Sequence, residues 1–578
     1  MTHDFATALH ELTERQLKAV ELERDMFLAA CPGSGKTRTA ATRVGRLIRS
    51  DVAVAACSYT NVGVAAIRDV ITKELGIVPN SRHFIGTLHR FLLRYVTYPF
   101  GHVLFNGPTL RLVQDESALW PVLLVDGDAR KRISIASFRM RPDRSMRLQN
   151  LPLTIGSSPE QVMESCADEA RAQKIRMLRR GLVSFDDAMY VALRVLQTHP
   201  AIAASVARRF AELLIDEAQD TSELQLACVR EIADSGGLDS LTLVGDIEQS
   251  ISAYTGASAE GCEALATHRG LTRIDLVENH RSSQKICNVA VHFCSRTTPD
   301  VAVGPDASHP VEPELLVYDP RDARTVLPRF ESRLAELGED LRDAAVLARS
   351  NKLCDEINGV ALVVDIAPRP LLLGRAVAAV RGSGTLSRSD VELVERLLCF
   401  AAHGHEDVSA LQDRRELRSG VMCLLRAAPE LDTDLRAWIR AASRTLDQVT
   451  ATLVATPAKT GGQVLRSAAG QEGHVARQFF TPQPATLSAQ TVHDIKGESR
   501  GATLVVIDKT RGRARGQSSL WAQPLLGEAV APEDAEELRI AYVALTRARR
   551  YSAVAIPNDC PEDIIGAFKA VGFRLRNS

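Results

Sequence analysis

Short apolar runs, each followed by a stretch with helical spacing of its apolar positions, recur along the chain: "MFLAA", "VAVAACS", "ELLID", "LTLVGD", "ELLVYD", "AAVLARS" and "TLVVID". Uninterrupted apolar runs of this length predict strands covered on both faces, and their alternation with amphipathic helices predicts parallel α/β sheets. The runs form two groups, one before and one after about residue 280. Between His89 and Gly181 lies a more irregular, helix-leaning segment containing "ARKRISIASFRMRPDRSMRL" and "ARAQKIRMLRRG". A second such segment opens with the linker-like "RGSGTLSRSD" and closes with "FFTPQPATLSAQT". The expected fold is therefore α/β, with two sheet-bearing units that each carry a mostly helical insertion.

Composition narrows this picture only a little. The 578 residues exceed what one compact core can hold, and 45% hydrophobic with 24% charged residues is ordinary for a globular chain. No apolar run is long enough to span a bilayer and the N-terminus lacks a signal-peptide core, so a cytoplasmic protein without a membrane partner is expected. The 11 cysteines form no Cys-x-x-Cys pair and read as reduced, mostly buried thiols. A net charge of −1 means that any nucleic acid must be held by local patches, not by a global field.

Chemistry enters with "AACPGSGKTR" between an apolar run and an Arg-bearing helix. Glycines at 33 and 35 let backbone N–H groups converge on a β-phosphate, Lys36 reaches the β and γ oxygens, and Thr37 offers a hydroxyl to Mg²⁺. Further on, "ELLIDEAQD" ends a strand in Asp216-Glu217, where a hydrolase needs one carboxylate for the metal and one to activate water. A third strand end, "LTLVGDIEQSISAYTGA", places the Gln249 amide to sense a γ-phosphate and the Tyr254 ring to stack.

The ordered set "LTERQ", "CPGSGKTR", "SYTNVGVAA", "GTLHRF", "IDEAQD", "GDIEQS", "ENHRS", "TVHDIKGE" and "EELRIAYVALTRA" resembles the UvrD/Rep/PcrA group of superfamily-one helicases across nearly the whole chain. The resemblance implies two RecA-like motor domains, the first from 1–91 and 181–279, the second from 280–375 and 486–578, with insertions at 92–180 and 376–485. It also implies ATP with Mg²⁺ between them and single-stranded DNA or single-/double-strand junctions as partner. By that likeness Gln16 reads the adenine edge, and Ala30, Cys31, Pro32, Gly33, Ser34, Gly35, Lys36 and Thr37 cradle the phosphates. Thr37 and Asp216 hold the metal, and Arg38 lies beside the nucleotide. His280 stands where a stacking tyrosine is usual, while Arg281 and Arg547 act as arginine fingers. Lys36, Asp216, Glu217, Gln249, Arg281 and Arg547 form the catalytic set.

For the track, the same likeness assigns Tyr59, Thr60, Asn61, Thr87, His89, Tyr254, Thr491 and His493, with Arg349 and Asn351 as a weaker pair. Tyr59 and Tyr254 have core packing as their alternative. Three departures stand out: Ser252, Tyr254 and Thr255 replace larger or cationic residues, "KGES" shifts the ribose-binding acid to Glu498 from the position of Ser499, and the second insertion is short. Basic clusters at Arg130-Lys131-Arg132, at Arg139, Arg141, Arg144 and Arg147, and at Arg511, Arg513 and Arg515 are phosphate contacts or plain solvated faces. Expected polarity is 3′-to-5′, by resemblance alone. With no fused nuclease segment recognised and no long tail after "TRARR", the chain also resembles the helicase subunit of Gabija-type antiphage systems, which implies a separate nuclease partner. The reading from another class is an ATP- and DNA-sensing regulatory subunit that unwinds little.

Overall fold

The computed structural model describes residues 5–113, 121–128, 131–149, 151, 155–251, 256–359, 368–382, 386, 388–404, 414–466, 475–480, 487–508, 517–531 and 534–576. The chain divides into two compact units, Met1–Glu312 with Gln523–Arg550, and Pro313–Ala522 with Tyr551–Ser578.

Six strands build the first unit's main sheet: β1 (Met26–Ala30), β2 (Val54–Ser58), β3 (Phe84–Thr87), β4 (Glu212–Asp216), β5 (Ser240–Gly245) and β6 (Thr272–Leu276). Their order is β6-β1-β5-β4-β2-β3 and every pairing is parallel. Alternate residues enter opposite cores, Phe27, Leu213 and Ile215 on one face and Met26, Leu28 and Leu214 on the other. That double burial is why these strands read as unbroken apolar runs. Helix α1 (Glu14–Glu21) starts at Thr13, whose hydroxyl accepts from the Gln16 N–H while the Gln16 side chain accepts from the Thr13 N–H. Helix α2 (Lys36–Arg49) starts directly from the loop after β1, with Gly35 in the left-handed region as its cap.

The segment after β3 adds what the apolar pattern did not predict. Beside the long helix Pro159–Arg179 it carries two short antiparallel hairpins, Val122–Leu124 with Arg132–Ser134 and Phe138–Met140 with Met146–Leu148. Strands of three residues are too short to leave a readable alternation. The helix is anchored by a buried ion pair, Lys174 Nζ to the Asp187 carboxylate at 2.8 and 2.9 Å.

In the second unit the sheet order is β9-β8-β10-β11-β7-β12, from β7 (Glu314–Tyr318), β8 (Ala344–Ala348), β9 (Ala489–Thr491), β10 (Arg500–Val506), β11 (Ala548–Pro557) and β12 (Arg574–Arg576). A separate helical core packs Pro368–Gly382, Arg388–His403, Arg414–Ala427 and Leu435–Leu453 around the buried Trp438. Trp438 Nε1 donates to the Pro429 carbonyl at 3.0 Å, and its ring lies 4.6 Å from Phe480. None of the eleven cysteines forms a disulfide, and eight of them are buried. Among the described residues no helix is long and apolar enough to cross a membrane.

Candidate nucleotide site and nucleic-acid edge

Parallel strands end on one side of a sheet, so the loops after β1, β4 and β5 converge by topology. Gly33 and Gly35 take positive φ after β1, and a Cβ on Gly33 would collide with the Arg281 side chain. The loop is therefore shaped for backbone, not side chains, to face a ligand. Lys36 Nζ lies 2.8 Å from Glu217 Oε2, and Thr37 Oγ1 donates to Asp216 Oδ2 at 3.4 Å. Burial alone would lower the Lys36 pKa, but the Glu217, Asp216 and Asp246 carboxylates outweigh it and raise it. Asp216 is pushed up to about 7, by burial first and by the Glu217 charge second. Its Oδ1 is buried with no hydrogen-bond partner, the signature of a carboxylate built to meet a cation. Glu217 itself adopts φ 55°, a left-handed backbone that costs a non-glycine residue about 1–3 kcal/mol and clusters at functional sites.

A polar relay joins these loops. Gln219 Nε2 donates to Glu217 Oε2 at 2.6 Å, while its Oε1 accepts from the Asp246 N–H at 3.2 Å. Gln249 Nε2 donates to Asp246 Oδ2 at 2.6 Å, and Arg547 Nη2 donates to Gln249 Oε1 at 2.8 Å. Arg547 is 1% exposed and is held down to about 9, by burial and then by the neighbouring Arg281 guanidinium. Burial also lowers Arg281, whose Nη1 donates to the Thr546 carbonyl at 3.1 Å. Both arginines belong to the same compact unit as the P-loop. One buried and one half-buried guanidinium, acting with Lys36 on the same Glu217 carboxylate, form a cationic cluster whose charge an anion would stabilise.

The remaining expected nucleotide residues are distributed as follows. Ala30 at the end of β1 and Cys31 and Ser34 in the loop are buried. Gln16 spends its Nε2 on the Ser34 carbonyl at 2.9 Å and its Oε1 on the α1 cap, so it braces the loop from below. Arg38 pairs with Glu11 and, at 3.4 Å, with Glu74. His280 is exposed, its N–H donating to the Gly33 carbonyl at 3.0 Å. Glu498 belongs to the second unit, where it pairs with Arg500.

The expected DNA residues collect at the C-terminal ends of two edge-strand pairs. In the first unit Ser58 on β2 is in register with Thr87 on β3, which brings exposed Tyr59, Thr60 and Asn61 beside Thr87 and His89. In the second unit Ala348 on β8 is in register with Thr491 on β9, which brings Arg349 and Asn351 beside Thr491 and His493. Thr60 and Thr87 cap the helices that follow, and Thr491 Oγ1 donates to Asp494 at 2.6 Å. Tyr59, 38% exposed, is not a core aromatic. Ser252, Tyr254 and Thr255 lie outside the described residues, as do Arg130, Arg511, Arg513 and Arg515. Part of the basic hairpin is internally neutralised: Arg139 pairs with Asp186, and Arg141 with Glu223 at 3.4 Å.

His89 is half-buried against Phe185 at 5.1 Å, its Nε2 buried and unpartnered, and burial pushes its pKa down to about 4. An unfolded histidine takes up a proton near 6.5, so between about pH 6.5 and 4 the unfolded state binds the extra proton and stability is lost as the pH is lowered. In thermal melts at pH 7 and 5, the His89→Gln variant is expected to lose less of its midpoint than the parent does.

Sequence reasoning passed over two arginines. Arg43 on α2 forms a buried pair with Glu212 of β4, Nε to Oε1 at 2.7 Å and Nη2 to Oε2 at 2.8 Å. Arg296 reaches Asp246 at 2.8 Å. Neither stands in a recognisable segment; in "TRTAATRVGRLIR" Arg43 is one of four arginines on a helix, and only the fold selects it.

A glycine-cradled loop, a strand-end Asp-Glu pair and inward-facing arginines on a parallel sheet define the class, a P-loop nucleotide-binding protein. Residues 12–268 match the family described as UvrD/REP helicase N-terminal domain. The likeness to the UvrD/Rep group of superfamily one thus holds for this chain. The chain is 26% identical over 382 residues to ATP-dependent DNA helicase UvrD1 of Mycobacterium leprae, covering 61% of this chain and 48% of the relative. With DNA helicase II of Salmonella typhimurium the identity is 28% over 303 residues, 50% and 41% of the two chains. With DNA helicase II of Escherichia coli K12 it is 26% over 367 residues, 60% and 49%. The matched region spans about half the length of these curated relatives.

Proposed function

We propose that this protein is an ATP-dependent DNA translocase and helicase of 3′-to-5′ polarity, moving on single-stranded DNA and opening short duplexes. The observation that carries the reading is the cluster of half-buried Lys36 and Arg281 with buried Arg547 around Glu217 and Gln249 within one compact unit. A polyanion in which charge moves during reaction fits that arrangement, and the family of residues 12–268 supports ATP as that polyanion and DNA as the track. In this reading the P-loop N–H groups and Lys36 bind the phosphates, which compete with Glu217 for the lysine. Thr37 and Asp216 would hold Mg²⁺, which would supply positive charge to neutralise the phosphates. Glu217, oriented by Gln219, accepts the proton of the attacking water, and Gln249, Arg281 and Arg547 face the γ-phosphate. The strand-end groups beginning at Tyr59 and Thr87 in the first unit contact DNA, and so, separately, do those beginning at Arg349 and Thr491 in the second. We retain two RecA-like motor domains, with residues 280–312 and 523–550, which carry Arg281 and Arg547, grouped in the P-loop's compact unit, a cytoplasmic setting, and DNA repair, recombination or antiphage defence, the last with a nuclease partner.

Opening a duplex costs about 1.4 kcal/mol per base-pair step on average, so a motor with few stacking groups opens short duplexes better than long ones. ATP-driven displacement from short 3′-tailed duplexes is expected, with little from 5′-tailed or blunt ones. A preference for the 5′ tail would overturn the polarity. DNA-stimulated ATP hydrolysis without displacement at any length would favour the regulatory sensor.

A further inference from the structure

Arg296 lies in "HFCSRTTPD", outside every segment that carries the family likeness, yet it ties four parts of the first unit together. Its side chain is 26% exposed. Nη2 donates to the Ala30 carbonyl at 2.8 Å, at the root of the P-loop, and to Asp246 Oδ1 at 2.8 Å. Nη1 donates to the Tyr542 hydroxyl at 2.7 Å, on the helix Ala535–Leu545 that leads to Arg547, and to the Asp300 carboxylate at 3.1 and 3.3 Å.

The consequence runs through Asp246. Its side chain is 0% exposed, so its charge needs a cation in direct contact, and Arg296 is its ion-pair partner. An ionised carboxylate only accepts hydrogen bonds, so the Gln249 NH₂ must face it, as the 2.6 Å bond records. The Gln249 carbonyl oxygen is thereby turned toward Arg547, which donates to it at 2.8 Å. With the amide reversed, NH₂ would meet guanidinium, donor against donor.

We infer that Arg296 is a positioning residue for ATP hydrolysis, which keeps Asp246 as a pure acceptor and so sets the direction of the Gln249 amide and the place of the Arg547 guanidinium. This rests on the proposed reading of the site, in which Gln249 and Arg547 face the γ-phosphate. A simple clasp between loops would stabilise the fold without acting through Gln249, and the two roles separate in a double-mutant cycle.

The experiment is steady-state ATP hydrolysis at saturating single-stranded DNA for the parent, Arg296→Gln, Arg296→Lys, Gln249→Ala and the Arg296→Gln/Gln249→Ala pair. Arg296→Gln is expected to lower kcat by about 10- to 100-fold, the range seen when a supporting hydrogen-bond partner is lost. KM for ATP should stay near the parental value, and Arg296→Lys, which keeps a charge beside Asp246, should recover much of the loss. Adding Arg296→Gln to Gln249→Ala should cost little more. Losses that multiply in the double variant, or a rise in KM with kcat intact, would overturn the inference. If Arg296→Gln does not fold, Asp246→Asn replaces it in the cycle, since position 246 can then donate; multiplied losses there overturn the inference equally. A parent protein that hydrolyses no ATP defeats the reading of the site and this inference with it, whereas an active parent with multiplied losses defeats the inference alone.

Discussion

Glu217→Gln is expected to lower ATP turnover by about 10²- to 10⁴-fold, the usual contribution of a general base, while leaving nucleotide binding nearly intact. The substitution is isosteric: the amide oxygen can still accept from Lys36 Nζ, 2.8 Å from Oε2 in the parent, so the loop keeps its brace. What disappears is the ability to take a proton from water. Lys36→Ala should differ, because in the proposed reading the ammonium binds the ground-state phosphates, and its loss should then weaken binding and turnover together. Fluorescent-nucleotide titration paired with phosphate release separates the two. Turnover by Glu217→Gln close to the parent's would remove Glu217 from the catalytic set.

The largest stability effect is expected at Arg43. Removing its side chain leaves the Glu212 carboxylate buried without its countercharge and strips the Ala19 and Leu22 carbonyls of donors at 2.9 and 2.6 Å. Breaking a buried ion pair from one side typically costs about 3–5 kcal/mol. Glu212 opens the strand that ends in Asp216, so the damage reaches the nucleotide site through β4. Arg43→Ala should lower the first urea transition midpoint and weaken nucleotide binding, and Glu212→Gln in the same chain should recover part of the midpoint by removing the orphaned charge. A midpoint unchanged by Arg43→Ala would show that the pair contributes nothing net. In a chain of two compact units the transition need not be two-state, so the midpoint is the quantity to compare.

Much of the site was legible because its chemistry is local. The P-loop needs glycines at φ near +73°, a lysine and a hydroxyl within a few residues, and short-range steric demands of this kind leave their mark directly in "PGSGKT". The strands were legible for a related reason: burial on both faces turns "ELLID" and "LTLVG" into apolar runs that only sheet interiors require. What the sequence determined by itself was therefore the class of fold, the phosphate loop and the acidic strand end. Register decided the rest. Thr87 meets Ser58, and Thr491 meets Ala348, only because parallel strands pair at those residues, and no local pattern encodes that alignment. Partner choice among like side chains was equally tertiary. Arg43 and Arg296 are indistinguishable from surface arginines in the chain, and become an ion pair and a clamp on Asp246, while Arg281 and Arg547, singled out by likeness, find the Thr546 carbonyl and the Gln249 amide, because long side chains reach carboxylates and carbonyls far away in sequence. An arginine's role depends on which acceptors the fold brings within about 3 Å, a distance that only the folded chain defines.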